Sequence, residues 1–571
     1  MNKETFTDAG IKSLAKHPYL WALGICLFVN PFFLGSIQNI PDIALWVETF
    51  FVIGTIAAFG MYQYRSGRLS RTGAAICVAL FTLADCFAVR LYQHAQYQAV
   101  WHFVGGCAAA AILYLLIDQK KFRTQANALL IMGLGFCLKL YYILVTSVYT
   151  RQHDVHTFGG ESGHAAYIEY LLFHRGLPDF DVRERWQFCH PPLHHAISAI
   201  WIFVNENILM TGPNPARESL QTLTLFYSMC IMISAYKLLR HFGLKGSALY
   251  IPLTIVSFHP AFILFSGSIN NDPLSAALVI GAMVCTLKWY REQSVKNILK
   301  IALCLGFAMM AKISAATLAP PIALLFLIVL IRNCKGDWKR LFMQFVCFGI
   351  VCIPLGLWFG IRNYINWGVP LTYVQEMDKG VLQYIGDRSF LSRVTDFSSF
   401  QFASPYEQWA RRNESGAVYG YNEYNPLIAC MKNALFGEYI NENCFTVCTY
   451  INTVAKVLFW LNIVIAGFAL VSMAVLCFKK CSAKPTEKLF LTGFYVVMMA
   501  SFYKTAADYP FTCTMNFRYI TPTVIIGAIF IGLAVTKMQE REKLGRIAAI
   551  CLYAGAILFA IYSGAVYLSL G

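Results

Sequence analysis

The sequence predicts an all-α polytopic membrane protein, a bundle of about 15 transmembrane helices with two juxtamembrane helices in its first long outer loop. Three observations carry this. Of 571 residues, 57% are hydrophobic and only 13% charged, and the mean hydropathy is +0.53, far from the composition of a soluble chain. Apolar runs of about 20 residues, enough for a helix to cross ~30 Å of hydrocarbon, recur throughout. The basic residues behind a formal net charge of +16 fall in short connections between those runs. They read as topology signals; a nucleic-acid surface would gather them into one patch.

Taken in order, apolar spans lie near 19–37, 43–62, 72–91, 99–117 and 127–147. Arg65, Arg68 and Arg71 mark one connection and Lys120, Lys121 and Arg123 another, whereas QNIPD and YQHAQYQ carry almost no basic residues. The positive-inside rule then puts the N-terminus in the cytoplasm and the loop from 148 onward on the outer face. The stretch 191–204 is too short to cross and reads as an interfacial helix. Spans near 218–236, 248–268, 273–289, 299–311, 314–331, 341–362, 454–477, 489–504, 518–536 and 547–566 place the remaining basic clusters inside. This divides the chain into an N-terminal four-helix membrane module (1–120), a catalytic membrane core (121–540) with outer loops 148–217 and 363–453, and a C-terminal transmembrane helix (541–571). The N-terminus is too polar for a signal peptide and is expected to be retained. Most of the 19 cysteines, such as Cys26, Cys77, Cys230 and Cys304, lie in apolar runs, and no CxxC occurs, so a structural zinc site is not expected.

The polar interval Arg151–His195 holds seven of the chain's 12 histidines. Within it GHAAYIEYLLFH reads as a short amphipathic helix stopped at Gly176, with Pro178 just beyond. Asp154 follows directly on the span before it. Asn270-Asn271-Asp272-Pro273 breaks a second apolar stretch, Lys312 a third, and Arg518-Tyr519 opens a later span from the outside. Charges at a membrane boundary are costly unless they meet water, each other or a ligand. Four separate stretches thus deliver Asp154, Asp272, Lys312 and Arg518 to one face, which predicts a shared site. The bland alternatives are a solvated loop residue for Asp154, a helix-start Asp-Pro for Asp272, a snorkelling Lys312 and an ordinary boundary Arg518. His153 and His156 have the i, i+3 spacing of some metal pairs, against interfacial roles for these histidines. Glu48, Asp85 and Lys139 lie inside spans and are expected to pair with one another. Asn413-Glu414-Ser415 is a glycosylation sequon.

The order of these motifs resembles the GT-C superfamily of lipid-phosphate-dependent glycosyltransferases, in the branch of protein O-mannosyltransferases and the bacterial aminoarabinose transferase. Its members place an acid just after the first core span, as Asp154 stands here. Two juxtamembrane helices follow, the second opening on a polar residue and PPL, as in His190-Pro191-Pro192-Leu193. Asp272-Pro273 and Arg518-Tyr519-Ile520-Thr521-Pro522 match later motifs. The likeness covers about residues 125–540; the family often has two adjacent acids where this chain has His153-Asp154, and Lys or Tyr at His190. It implies a GT-C-like catalytic core that moves a sugar from a polyprenyl-phosphate donor to a lipid, glycan or protein acceptor, with inversion. Asp154 would be the general base, and Asp272, the second catalytic residue, would orient the acceptor or a cationic partner. Lys312, Arg518, His190 and Tyr519 would hold the donor phosphate. His153, Glu161, His164 and His194 would line the acceptor side or support it, and His153 with His156 would offer a divalent-metal site. The resemblance also implies a plasma-membrane location in a bacterium, or the endoplasmic reticulum in a eukaryote.

Two other classes compete. A lipid or glycolipid transporter or flippase needs ionisable groups near the midplane, commonly on repeat-related broken helices, and no repeat is visible. A metal-dependent hydrolase would draw on the histidines, but HExxH is absent.

Overall fold

The computed structural model describes residues 6–37, 60, 98–117, 119–380, 383–398, 410–412, 418–421, 423–440, 444, 451–540 and 542–570. The expected spans 43–62 and 72–91, with Glu48 and Asp85, and the sequon at Asn413 lie outside the described residues. Almost all regular structure is helical; the described exception is a small antiparallel hairpin, β1 (Ala410–Arg412) with β2 (Val418–Tyr421).

Among the described residues nine helices are long and apolar enough to cross a membrane, or ten if one bent pair is a single span. The chain opens with α1 (Phe6–Lys16) and α2 (Pro18–Ile37), then α3 (Gln98–Leu116) and α4 (Gln119–Leu144). Two short helices follow, α5 (Gly163–His174) and α6 (Leu193–Phe203). At 1.5 Å per residue α6 reaches only about 17 Å, so it lies short of a crossing as the sequence predicted. After α7 (Pro213–Glu218) come α8 (Leu220–His241), α9 (Ser247–Phe258), α10 (Pro260–Gly267), α11 (Asp272–Arg291) and α12 (Val295–Ala311). A 3₁₀ turn, Ile313–Leu318, leads into α13 (Ala319–Arg332) and α14 (Trp338–Trp367). The outer segment carries α15 (Phe390–Thr395) and α16 (Pro426–Phe436), and the bundle closes with α17 (Ile451–Phe478), α18 (Pro485–Asp508), α19 (Pro522–Gln539) and α20 (Glu542–Leu568). The predicted span 518–536 starts later than expected. Residues 517–520 form a 3₁₀ turn, and Pro522, with no N–H to give, begins the helix.

The helices wrap a buried core drawn mainly from α8, α9, α11, α12 and α19. Outer faces of the long helices instead expose large apolar side chains, for example Ile350, Ile353, Val464, Ile547 and Ile550. A face of that kind is stable against lipid, not water. The N-terminal helix α2 packs onto this core directly: Tyr19 Oη meets Ser234 Oγ at 2.9 Å, and Asn30 donates to Asn205 at 2.8 Å and accepts from Thr222.

Two breaks shape the site end. Between α9 and α10 the path bends by 44°, where Pro260 removes a donor and clashes with the preceding turn. The freed carbonyls find side chains: Lys139 Nζ donates to Ser257 O at 2.6 Å and Ser563 Oγ to Phe258 O at 2.7 Å. Lys139, expected to pair with a buried acid, therefore serves a broken helix. The second break is at Lys312, whose extended backbone ends α12. There Asn271 Nδ2 caps the Ala311 carbonyl at 3.0 Å.

Helix α5 also corrects the sequence reading of its end. The left-handed position is Arg175, at φ 53°, not Gly176.

Candidate active site

Asp154 is placed by its backbone neighbours. Gln152, two residues before, clamps the end of α10: its Nε2 donates to Gly267 O at 2.7 Å and its Oε1 accepts from Ile269 N at 3.1 Å. The chain then turns sharply, with Asp154 at φ 58° and His156 at φ 57°, a region that Asp and His tolerate better than most residues. The first amides of α5 lock the turn, His164 N donating to Asp154 O and Ala165 N to Val155 O, each at 3.0 Å. Gly163, which starts α5, has φ +92°, and a Cβ there would sit 2.5 Å from Val155 O. Only glycine fits this corner.

The four charged residues converge. Arg518 Nη2 donates to Asp154 Oδ2 at 2.9 Å, and Arg518 Nε lies 3.7 Å from Asp272 Oδ2. Lys312 Nζ pairs with Asp272 Oδ1 and lies 4.8 Å from the centre of the Tyr519 ring, in cation–π range. Tyr519 Oη is 2.9 Å from Arg518 Nη2. The exposures differ in a telling way: Asp154 keeps 28% of its side-chain surface, Arg518 8% and Asp272 6%. Asp154 is the carboxylate that faces open space.

That space is a cavity of about 300 Å³. Its polar wall includes Asp154, Asp272, Lys312, Arg518, His164 and His190; its apolar wall includes Ile313, Leu357, Phe359, Met498 and Phe502. A charged end thus continues into a greasy one.

Behind Asp154 lies a closed ring of hydrogen bonds. Arg518 N donates to Asn516 Oδ1 at 2.9 Å, Asn516 Nδ2 to Glu438 Oε1 at 2.8 Å, and His153 Nδ1 lies 3.0 Å from Glu438 Oε2. His153 precedes Asp154, which returns the ring to Arg518. Burial opposes ionisation of Glu438, but His153, Arg518 and Asn516 outweigh it and hold the group at about 2. Burial likewise works against the Asp154 carboxylate; Arg518 and His153 win and keep it below the usual range. Burial lowers Arg518, yet Tyr519 and the three carboxylates raise it well above normal.

The histidines form a second block. His164 Nδ1 and His195 Nε2 are 2.8 Å apart, and the His164 ring stacks on His190. Burial, aided by Lys312, brings His190 down to about 4, so its imidazole is neutral at neutral pH. His194 turns away from the cavity to the Ile269 carbonyl at 2.8 Å.

Other candidates lie elsewhere. Glu161 is exposed and outside the cavity wall. Glu169 is spent on Arg217, with Nη2–Oε1 at 2.6 Å. His153 and His156 do not form a metal pair: His153 serves Glu438, while His156 Nδ1 lies 3.1 Å from Ser162 Oγ. Among the described residues no three His, Cys, Asp or Glu side chains gather as a metal site, and the cavity's carboxylates already have cations. Glu438 and Asn516 were not singled out from sequence; they sit in polar connections where such residues are commonplace.

The fold and this charged cavity with an apolar wall define a polytopic helical membrane protein with a polar pocket at one end of the bundle. No protein-family model matches the chain, and no curated protein sequence does. Among solved structures it is similar to the archaeal oligosaccharyltransferase AglB from Archaeoglobus fulgidus in complex with an inhibitory peptide and a dolichol-phosphate, at 13% identity over 80% of this chain and 57% of that one, with a TM-score of 0.44. It is also similar to ArnT from Cupriavidus metallidurans bound to undecaprenyl phosphate, at 13% identity over 77% of each chain, with a TM-score of 0.33. The chain thus spans little more than half of the archaeal protein.

Proposed function

We propose that the protein is a membrane glycosyltransferase that moves a sugar from a polyprenyl-phosphate donor to an acceptor. The observation that carries this reading is the joining, in one cavity, of a partly open carboxylate, two cations and an apolar wall. The prenyl chain lies along Leu357, Met498 and Phe502, and the phosphate rests at Lys312, Arg518, Tyr519 and His190. Asp154 takes the proton of an acceptor hydroxyl or amine, which attacks the anomeric carbon with inversion. The cations stabilise the charge that grows on the leaving phosphate. Asp272 holds Lys312 in place and orients the acceptor side. The active site lies on the outer face.

The test uses purified full-length protein in vesicles with radiolabelled polyprenyl-phosphate sugars, of which dolichol- and undecaprenyl-linked donors come first. Transfer to an acceptor is expected, and Asp154→Asn is expected to lower it by about 10²–10⁴-fold at unchanged expression. Full activity in that variant sinks the assignment. Movement of the labelled lipid across the vesicle without bond formation would support a flippase in its place.

A further inference from the structure

Each fixed cation of the cavity already has an anion. Lys312 is paired with Asp272, and Arg518 with Asp154. These four charges cancel, and His190 beside them is neutral. On the glycosyl-transfer reading, on which this inference rests, the donor is a phosphodiester with one negative charge. Its product, a phosphomonoester, carries about −1.5 to −2. An anion entering so matched a pocket must displace a carboxylate from its cation.

The geometry singles out which one. Asp272 is buried in the first turn of α11, where the helix dipole favours it, and it is shared by Lys312 and Arg518. Asp154 holds Arg518 through one 2.9 Å hydrogen bond, sits on a left-handed turn and remains 28% exposed. Arg518 is itself anchored through its backbone to Asn516, so its guanidinium can turn while its main chain stays fixed.

We propose that Arg518 is a shared counter-ion, paired with Asp154 until donor or product binds and then passed to the lipid phosphate. Phosphate binding then frees Asp154 to act as a base. In the transfer step the acceptor's proton goes to an Asp154 carboxylate oxygen, and the acceptor's lone pair forms the new bond to the anomeric carbon. The carbon–oxygen bond to phosphate breaks, leaving its electron pair on the phosphate oxygen. The proton gained by Asp154 equals the charge gained by the phosphate, so neutral Asp154 no longer competes for Arg518 as the phosphate comes to need it.

The test is the affinity of the purified full-length protein for a short-chain polyprenyl phosphate, measured by calorimetry. Asp154→Asn, a side chain of the same shape, is expected to bind about tenfold more tightly than wild type. Arg518→Gln binds more weakly, and in its background the Asp154→Asn gain is expected to fall below about twofold. Asp154→Ser, smaller and also neutral, should repeat the gain should the asparagine variant express poorly. An unchanged affinity overturns the hand-over, and so does a gain that persists with Arg518→Gln, because that would be general charge repulsion. Turnover is read on the same preparations. Lost turnover with unchanged affinity removes the hand-over alone, whereas retained turnover in Asp154→Asn removes the base itself.

Discussion

At the scale of single residues, the site is a closed circuit in which Glu438 has two jobs. One oxygen accepts from His153 and the other from Asn516, so the residue ties Asp154 and Arg518 to one frame. Glutamine has a single side-chain acceptor, and its amide would face a donor on one side. Glu438→Gln is therefore expected to lower kcat by about 10–100-fold while the protein stays monodisperse, the scale expected when a supporting contact of a catalytic group is lost. Because Glu438 is held at about 2, it is ionised at every pH above about 4. The ratio of wild-type to variant rates should stay flat from pH 5.5 to 8, and a ratio that changes with pH would assign Glu438 a proton-transfer role instead. Asp154, Asp272, Lys312 and Arg518 were legible in sequence because a charge interrupting an apolar stretch demands an explanation. Glu438 was not, since an acid in a polar loop demands none. The His153/His156 spacing suggests a pair only along a helix, and here the chain turns through left-handed residues at Asp154 and His156, with His153 beside Glu438 and His156 beside Ser162.

Among elements, the breaks position the chemistry. The Lys312 interruption was visible in sequence, whereas the break at Pro260 falls inside what reads as one unbroken span, 248–268; which side chains repair the exposed backbone was not visible either, because the partners are far apart in the chain. Lys139 on α4 repairs the break before α10 from 118 residues away. Replacing it by methionine leaves the Ser257 carbonyl without that donor, and a buried unsatisfied group costs about 1–3 kcal/mol. Lys139→Met should lower the thermal midpoint while folded protein keeps most of its affinity for polyprenyl phosphate, since Lys139 lines no part of the cavity. A selective loss of lipid affinity without a stability change would instead place Lys139 in function. The same logic marks Gly163. Alanine there meets both a left-handed φ and the Val155 carbonyl, so Gly163→Ala is expected to disturb the Asp154 turn and cut transfer more than it cuts stability. Transfer and thermal midpoint measured side by side decide this.

For the whole molecule, the deciding feature is that charge sorts to two ends. Asp272 begins α11 and Arg291 ends it, about 30 Å apart at 1.5 Å per residue, the thickness of a hydrocarbon core. At the far end Glu487 gathers α8, α11 and α18, accepting from His241 at 3.0 Å and from Arg291 Nε at 2.8 Å, while Arg332 Nη1 donates to Thr486. Lys335 lies in the connection between α13 and α14, and Lys339 and Arg340 in the first turn of α14, on the side where α11 and α13 both finish. With a basic end opposite the charged cavity, the positive-inside rule predicts the basic latch in the cytoplasm and the cavity outside. The long polar connection after α14 must then face outward as well. A protease site inserted after Gly380 is expected to be cut in intact cells, and one inserted after Lys335 only once the membrane is opened. The reverse pattern would put the cavity in the cytoplasm, where donors made on that face would reach it without crossing the bilayer.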